Sequence, residues 1–334
     1  MPTTQSNVPL QIADVSDLVD LSITSMFMKF RPDVKEYHKE YYNIEAVSDL
    51  TLKDSSMSAV DSYGHTVENA IIKAASPVQG FDKSYTQAWF TGKLRVSKKM
   101  WVFGIQKRKL TGVVESMKKM ALQTKEQILT NPLNNLATGS YTDTSGSSNF
   151  THDNTGGDGV VMIATTHTNE AGGTDWNNQI TDGATVNMDF DYDALKAARK
   201  TGEAIRGPIG EVMDQEFNTL ICKKESSVHH RAEEILGAIK RNEIPDSADN
   251  DGSAIMAFKV LAIPYLTSDT AWFMLSANNV NAKYGLQMKQ GLPLNLNQMQ
   301  IDKDNLEMSW VIDEFYQFGF NDARNIIGSD GTNA

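Results

Sequence analysis

His229, His230, Glu233 and Glu234 fall within six consecutive residues, each histidine four positions before a glutamate. On a helix this spacing sets imidazole and carboxylate side by side, a pair able to hold a divalent metal. The same spacing more commonly yields exposed charge contacts worth about a few tenths of a kcal/mol. That reading is adopted, and no metal site is expected. A second acidic stretch, Asp246 to Gly252 (DSADNDG), has the composition of a calcium loop. With Gly252 at the invariant glycine, Ser247 takes the first ligand position and Phe258 the twelfth, where glutamate is required. The stretch is not an EF-hand. Cys222 follows Leu220 and Ile221 and reads as a buried, inert thiol. As the only cysteine it excludes an intrachain disulfide and a cysteine-built zinc site. Phosphate-loop, dinucleotide-binding, zincin and nucleophile-elbow motifs are all missing from the sequence. No catalytic residue and no cofactor is expected. A soluble α/β enzyme using Asp246, Asp249 or the His229/His230 cluster is the remote alternative.

A different chemistry is concentrated between Lys93 and Lys125. Ten basic residues lie there: Lys93, Arg95, Lys98, Lys99, Lys107, Arg108, Lys109, Lys118, Lys119 and Lys125. Only Glu115 opposes them, so the window carries about +9 in a chain of net charge −11, and the remainder about −20. A molecule so polarised has one surface suited to a polyanion. Lysine and arginine neutralise phosphates without reading sequence. The plainer use of the same residues is a solvated helix face whose lysines pair with acids of another subunit. Trp101 and Phe103 fit an alternating strand better than a base-stacking platform.

The elements that must position this charge follow from the spacing of apolar residues. Residues 1–30 open polar and then place Ile12, Val15, Leu18, Val19, Met26 and Phe30, the early part of which fits one helical face, with Pro32 ending the helix near Phe30. This segment is either an arm that docks elsewhere or an ordinary core helix. From Glu36 to Ile105, Tyr, Val, Thr and Ser between turn signals predict strands, including a long two-stranded excursion with little core of its own, and a short helix near 67–75. Lys107 to Thr130 places Leu110, Val113, Val114, Met117, Met120, Ala121 and Ile128 on one stripe, with Lys118, Lys119, Lys125 and Glu126 on or near the other side. Twenty-four helical residues reach about 36 Å, and Asn131-Pro132 is the expected stop. Thr138 to Gly159 is almost wholly Gly, Ser, Thr, Asn and Asp and reads as a solvent-facing mobile loop. Beyond it come a strand at 160–165, a helix near 187–205 capped by Asp191 or Asp193, a buried strand at 217–222 and a helix capped by Ser227. Strands at 255–263, 270–275 and 306–320 close the chain. No run of about 18 apolar residues occurs, so no membrane span is expected.

The order of these parts resembles the Hong Kong 97-type major capsid proteins of tailed double-stranded DNA phages. Thr86 to Val102 running into the 107–130 helix resembles that family's extended loop entering its spine helix. Phe190 to Arg206 (with ALKAAR), Phe258 to Leu266 (FKVLAIPYL) and Thr270 to Leu275 (TAWFML) resemble its axial-domain helix and core strands. Trp310 to Gly331, with Phe318-Gly319-Phe320 and Asp322-Ala323-Arg324, resembles its closing strand and tail. The resemblance implies an α+β chain with an N-terminal arm (1–35), an extended β-hairpin loop and flanking strands (36–105), a peripheral domain (106–186 and 301–334) and an axial α/β domain (187–300). It implies a non-enzymatic structural protein assembling as hexamers and pentamers of an icosahedral head. The partners implied are a separate scaffolding protein, a portal, a possible decoration protein and packaged double-stranded DNA. Location in the virion, after assembly in the host bacterial cytoplasm, goes with this. On that model Lys107, Arg108, Lys118, Lys119 and Lys125 face the DNA, while Ile12, Val15, Phe30, Lys93, Arg95, Lys98, Lys99 and Trp101 serve contacts between subunits. Lys–Asn cross-links, known in some members, are not expected, because nothing singles out a partner for Lys83, Lys93, Lys98 or Lys99. An encapsulin-type compartment is the alternative shell.

Overall fold

The computed structural model describes residues 24–25, 27–30, 32–57, 64–68, 71, 79–99, 107–144, 148–169, 174–181, 187–208, 210–213, 215–241, 258–276, 284–302, 304 and 307–332. Ile12, Val15, Trp101 and the acidic stretch 246–252 lie outside these, as do most of 67–75 and the side chains of Lys107 and Arg108. A 3-10 turn at Tyr37–Glu40 precedes β1 (Asn43–Ala46), β2 (Thr51–Met57), β3 (Gln79–Thr86) and β4 (Ala88–Ser97). Next come α1 (Lys107–Asn134), β5 (Ser140–Asp143), β6 (Phe150–Asp153), α2 (Tyr192–Ala204), β7 (Phe217–Lys223) and α3 (Ser227–Arg241). The remaining strands are β8 (Lys259–Ile263), β9 (Trp272–Ser276), β10 (Leu286–Leu296), β11 (Gln300–Ile301), β12 (Glu307–Phe320) and β13 (Ile326–Ser329). Among the described residues no helix is long and apolar enough to cross a membrane.

The chain divides into two compact units. The first takes Met1–Glu36, Ala88–Lys125 and Gly291–Tyr316. Its β4 runs antiparallel to β12, from Ser97 opposite Glu307 to Ala88 opposite Tyr316. Because β4 fills one edge of β12 there, β11 pairs with Met308 and Ser309 from the other edge. Alternation along β4 leaves Trp89, Lys93 and Arg95 exposed and turns Leu94 and Val96 inward. These two join Phe27, Val114, Met117, Ala121, Leu296, Met308, Trp310 and Ile312 in one apolar core. The expectation that this excursion has little core of its own is therefore corrected for β4. Of the expected stripe on α1, Val114, Met117 and Ala121 pack inward, whereas Val113 and Met120 are 44% and 66% exposed.

The second unit takes Tyr37–Gln87, Glu126–Gln290 and Gln317–Ala334. Its central sheet has the order β13-β9-β7-β8, with β7 parallel to β8 and antiparallel to β9. Leu220, Ile221 and Cys222 of β7 are fully buried, as a strand covered on both faces requires. Asp191 caps α2 by accepting from the Ala194 N–H at 2.6 Å, and Leu195 and Ala198 are buried. The cap of α3 is Ser226, not Ser227: its Oγ accepts from the His229 N–H at 3.2 Å. The two-stranded excursion is present as the antiparallel pair β2–β3. No strand forms at 160–165. There the buried Asn178 side chain stands in for a neighbouring strand, accepting from the Ala164 N–H (3.0 Å) and donating to Met162 O (2.7 Å) and Ile326 O (3.2 Å).

The stretch 138–159 also departs from expectation, since it folds as the β5–β6 hairpin with Ser140 opposite Asp153. His152 is buried and stacks on Phe318 at 4.2 Å between ring centres. Asn154 Nδ2 donates to the carbonyls of Asn135 (2.8 Å), Thr138 (3.3 Å) and Pro132 (3.4 Å), so one amide serves the open end of α1. Lys83 Nζ donates to Asp153 Oδ2 at 2.5 Å and to Thr155 O at 2.8 Å.

Both ring nitrogens of His152 are buried without a hydrogen-bond partner. Burial, helped by the Lys83 charge and opposed by Asp153, pushes its pKa from 6.5 down to about 4. The unfolded chain thus takes a proton below its ordinary value while the folded chain does not, so this residue's contribution to stability is whole above pH 6.5 and lost as pH falls toward 4. The loss reaches roughly 3 kcal/mol at most. His152→Phe, which keeps the stack, is expected to flatten the denaturant midpoint against pH over that range. An unchanged slope would place the acid sensitivity elsewhere.

Candidate functional site

The basic window divides into an exposed set and a set committed to internal contacts. Alternation puts Lys93 and Arg95 on the exposed side of β4, next to Trp89, which is 61% exposed and stacks on Phe315 at 5.7 Å. Lys99 is exposed and Lys98 half-buried. On α1, Lys119 is exposed. These residues form the free cationic surface among the described side chains of the window.

Lys118 and Lys125 do something else. Lys118 Nζ donates to Phe27 O (2.7 Å) and Phe30 O (2.8 Å) and lies 4.8 Å from the centre of the Phe27 ring. Residues 27–29 are helical, so the ammonium sits at a helix C-terminus whose carbonyls lack intrahelical donors. The helix ends by Phe30, as Pro32 predicts, and its Phe27 is buried in the core, which favours the core-helix reading for this end of the arm. Phe30 is half-buried.

Lys125 is buried and forms an ion pair with the buried Glu314 of β12, its Nζ 5.2 Å from the centre of the Tyr316 ring. It cannot face DNA, and that expectation is corrected. The helical wheel failed because β12 packs against this side of α1 as well, so a position opposite the apolar stripe is still covered.

Beyond Lys125 the helix is buried almost continuously, with Glu126, Ile128, Leu129, Thr130, Pro132 and Leu133 all buried. His38 donates its backbone N–H to Glu126 Oε2 at 3.2 Å and its ring pairs with the same carboxylate. Tyr42 OH donates to Leu129 O at 2.9 Å, and Tyr41 OH meets Thr130 Oγ1 at 3.3 Å. Burial pushes the Tyr41 hydroxyl far up, keeping it neutral. Pro132 does not stop α1, which runs on to Asn134. Proline in the final turn removes one donor, and the Asn154 amide and the Tyr37–Tyr42 segment supply others near it.

The remaining reactive groups have structural surroundings. Burial pushes the Cys222 thiol up to about 12, as expected of an inert core cysteine. Arg324, in the Asp322-Ala323-Arg324 stretch, is buried against Asp322, donates to Arg206 O at 2.9 Å and lies 5.1 Å from the Trp176 ring centre. Trp89, Phe27, Glu314 and His152 matter most among residues the spacing did not single out. Only the acid at 314 has a sequence signal, as one of two adjacent acids, Asp313 and Glu314, set among large apolar residues of one strand.

No protein-family model matches this chain, and no curated protein matches it. Solved structures do. The capsid of the cyanophage P-SCSP1u superposes with a TM-score of 0.53 at 10% identity, covering 90% of this chain and 88% of that one. The capsid of the native GTA particle gives 0.49 at 10% identity, covering 90% and 91%. Mycobacterium phage Patience gives 0.49 at 8% identity, covering 96% and 88%. The chain has the α+β fold of Hong Kong 97-type phage capsid proteins.

Removing one partner of the buried Lys125–Glu314 pair strands a charge, with an expected cost of about 3–5 kcal/mol. Replacing both (Lys125→Met with Glu314→Leu) is expected to recover most of that. Chemical denaturation of the two single variants and the double checks it through the coupling energy. Additive losses would show that the pair does not bear on the packing of α1 against β12.

Proposed function

We propose that this chain is the shell subunit of an icosahedral phage-type head, assembling as hexamers and pentamers around double-stranded DNA. The observation that supports this is the capsid fold extending over 90% of the chain. In this reading no residue is catalytic. The exposed Lys119, with Lys107 and Arg108 earlier on α1, faces packaged DNA, neutralising phosphates without sequence preference. The exposed face of β4, with Trp89, Lys93 and Arg95, lies against a neighbouring subunit, together with the loop residues Lys98, Lys99 and Trp101 and the arm residues Ile12 and Val15. Phe30 and Lys118 secure the arm within the subunit. A separate scaffolding protein, a portal and assembly in the bacterial cytoplasm complete the proposal.

Negative-stain microscopy and sedimentation velocity of the purified chain, before and after nuclease treatment, test it. Shells, tubes or capsomer rings are expected, and shells formed during phage infection should hold nuclease-protected DNA. Closed shells filled with a protein cargo would replace the phage head with an encapsulin-type compartment. A monomer that stays discrete at high concentration with its scaffolding protein present would overturn the shell reading.

A further inference from the structure

The first two turns of α3 hold a cluster that the shell reading does not use. One ligand atom from each of His229, His230 and Glu233 lies within 4.8 Å of the others. The two imidazole rings are 5.9 Å apart between centres. Their contacts with carboxylates are long: His229 Nε2 to Glu233 Oε1 is 3.8 Å and His230 Nε2 to Glu225 Oε2 is 4.0 Å. Neither is a hydrogen bond. On the same helix Arg231 and Glu234 close to 2.8 Å, which is what a satisfied exposed ion pair looks like. His229 Nδ1 is buried and has no hydrogen-bond partner, so no protein group dictates which of its nitrogens carries the proton.

We propose that His229, His230 and Glu233 bind a first-row divalent transition ion, with Zn²⁺ as the reference case and water completing the coordination. Two imidazole nitrogens and a carboxylate select zinc, cobalt, nickel or copper over magnesium and calcium, which prefer all-oxygen sites. Ligand distances of about 2.0–2.2 Å require the three atoms to draw together. The His230 and Glu233 side chains are 59% and 64% exposed and can swing inward, while that of His229, 15% exposed, is the fixed point. Its backbone is held by the Ser226 cap. Glu225 next to His230 adds negative charge that draws a cation in. An ion held there clamps the first two turns of α3 together, and it does so whether or not the chain forms shells.

Titration calorimetry of the untagged full chain with zinc chloride is the test, paired with visible absorption of the Co²⁺ form. One Zn²⁺ per chain and the d–d bands of a low-coordinate Co²⁺ site are expected. His229→Ala and His230→Ala should each abolish both signals, and Glu233→Gln should weaken binding about tenfold or more. Glu234→Gln, at the carboxylate that pairs with Arg231, should leave them unchanged. Circular dichroism of each variant separates lost binding from lost folding. Absence of saturable zinc uptake by the chain, or uptake that survives the His229→Ala/His230→Ala double substitution, overturns the site.

Discussion

Charge that packing buries must meet a partner, and along α1 this requirement falls on Lys118, Lys125 and Glu126. Each is answered from far away in sequence. The carbonyl of Phe27 is 91 residues from Lys118, Glu314 is 189 residues from Lys125, and His38 is 88 residues from Glu126. The apolar stripe Val114, Met117 and Ala121 supplies attraction without direction, because burial of hydrocarbon is indifferent to a slip of one turn. An ion pair is not indifferent. A slipped helix would keep apolar contact and still strand Lys125 and Glu314 in a dry environment, at a cost of several kcal/mol. The charged residues therefore fix where the N-terminal helix, β12 and the Tyr37–Tyr42 segment attach, and the apolar residues supply the adhesion.

This division of labour changes the meaning of the basic window. Ten cations against one acid look like a surface built for a polyanion. Two of them, Lys118 and Lys125, are committed inside the chain, one to helix-end carbonyls and one to a carboxylate. What remains outward is a smaller set, divided between the exposed face of β4 with the residues just after it and the solvent side of α1. A charge count along a sequence measures how much cation is available, whereas the fold decides how much is free.

Elements with a simple period were legible. The helix over 107–130, the alternation of β4, a cap at one of two aspartates (Asp191 rather than Asp193), the buried β7 and the long β12 all follow from residue spacing. The failures share a cause. Lys125 reads as solvent-facing because a helical wheel assumes that only one side of the helix is covered, and β12 covers another. Asn131-Pro132 reads as a stop because the wheel does not see donors arriving from residues 154 and 42. The strand expected at 160–165 is replaced by the side chain of Asn178, a long-range partner with no local signature. The exposed cationic residues could be named from sequence, but which of the ten stay exposed could not.

The polar hairpin makes the same point from the other direction. A stretch of Gly, Ser, Thr, Asn and Asp cannot offset its ordering entropy by burying hydrocarbon, and from composition alone it should be mobile. Yet β5 and β6 are paired, and two of their neighbouring side chains explain why. His152 places an aromatic ring flat on Phe318, contributing apolar contact from a residue counted as polar. Asn154 gives one amide to carbonyls at and just beyond the end of α1, those of Pro132, Asn135 and Thr138. An unmet carbonyl in a buried place costs about 1–3 kcal/mol, so supplying its donor is worth as much as burying a side chain. A polar segment can be ordered wherever the rest of the fold presents unsatisfied backbone, and a long helix that ends inside a protein presents several such groups at once.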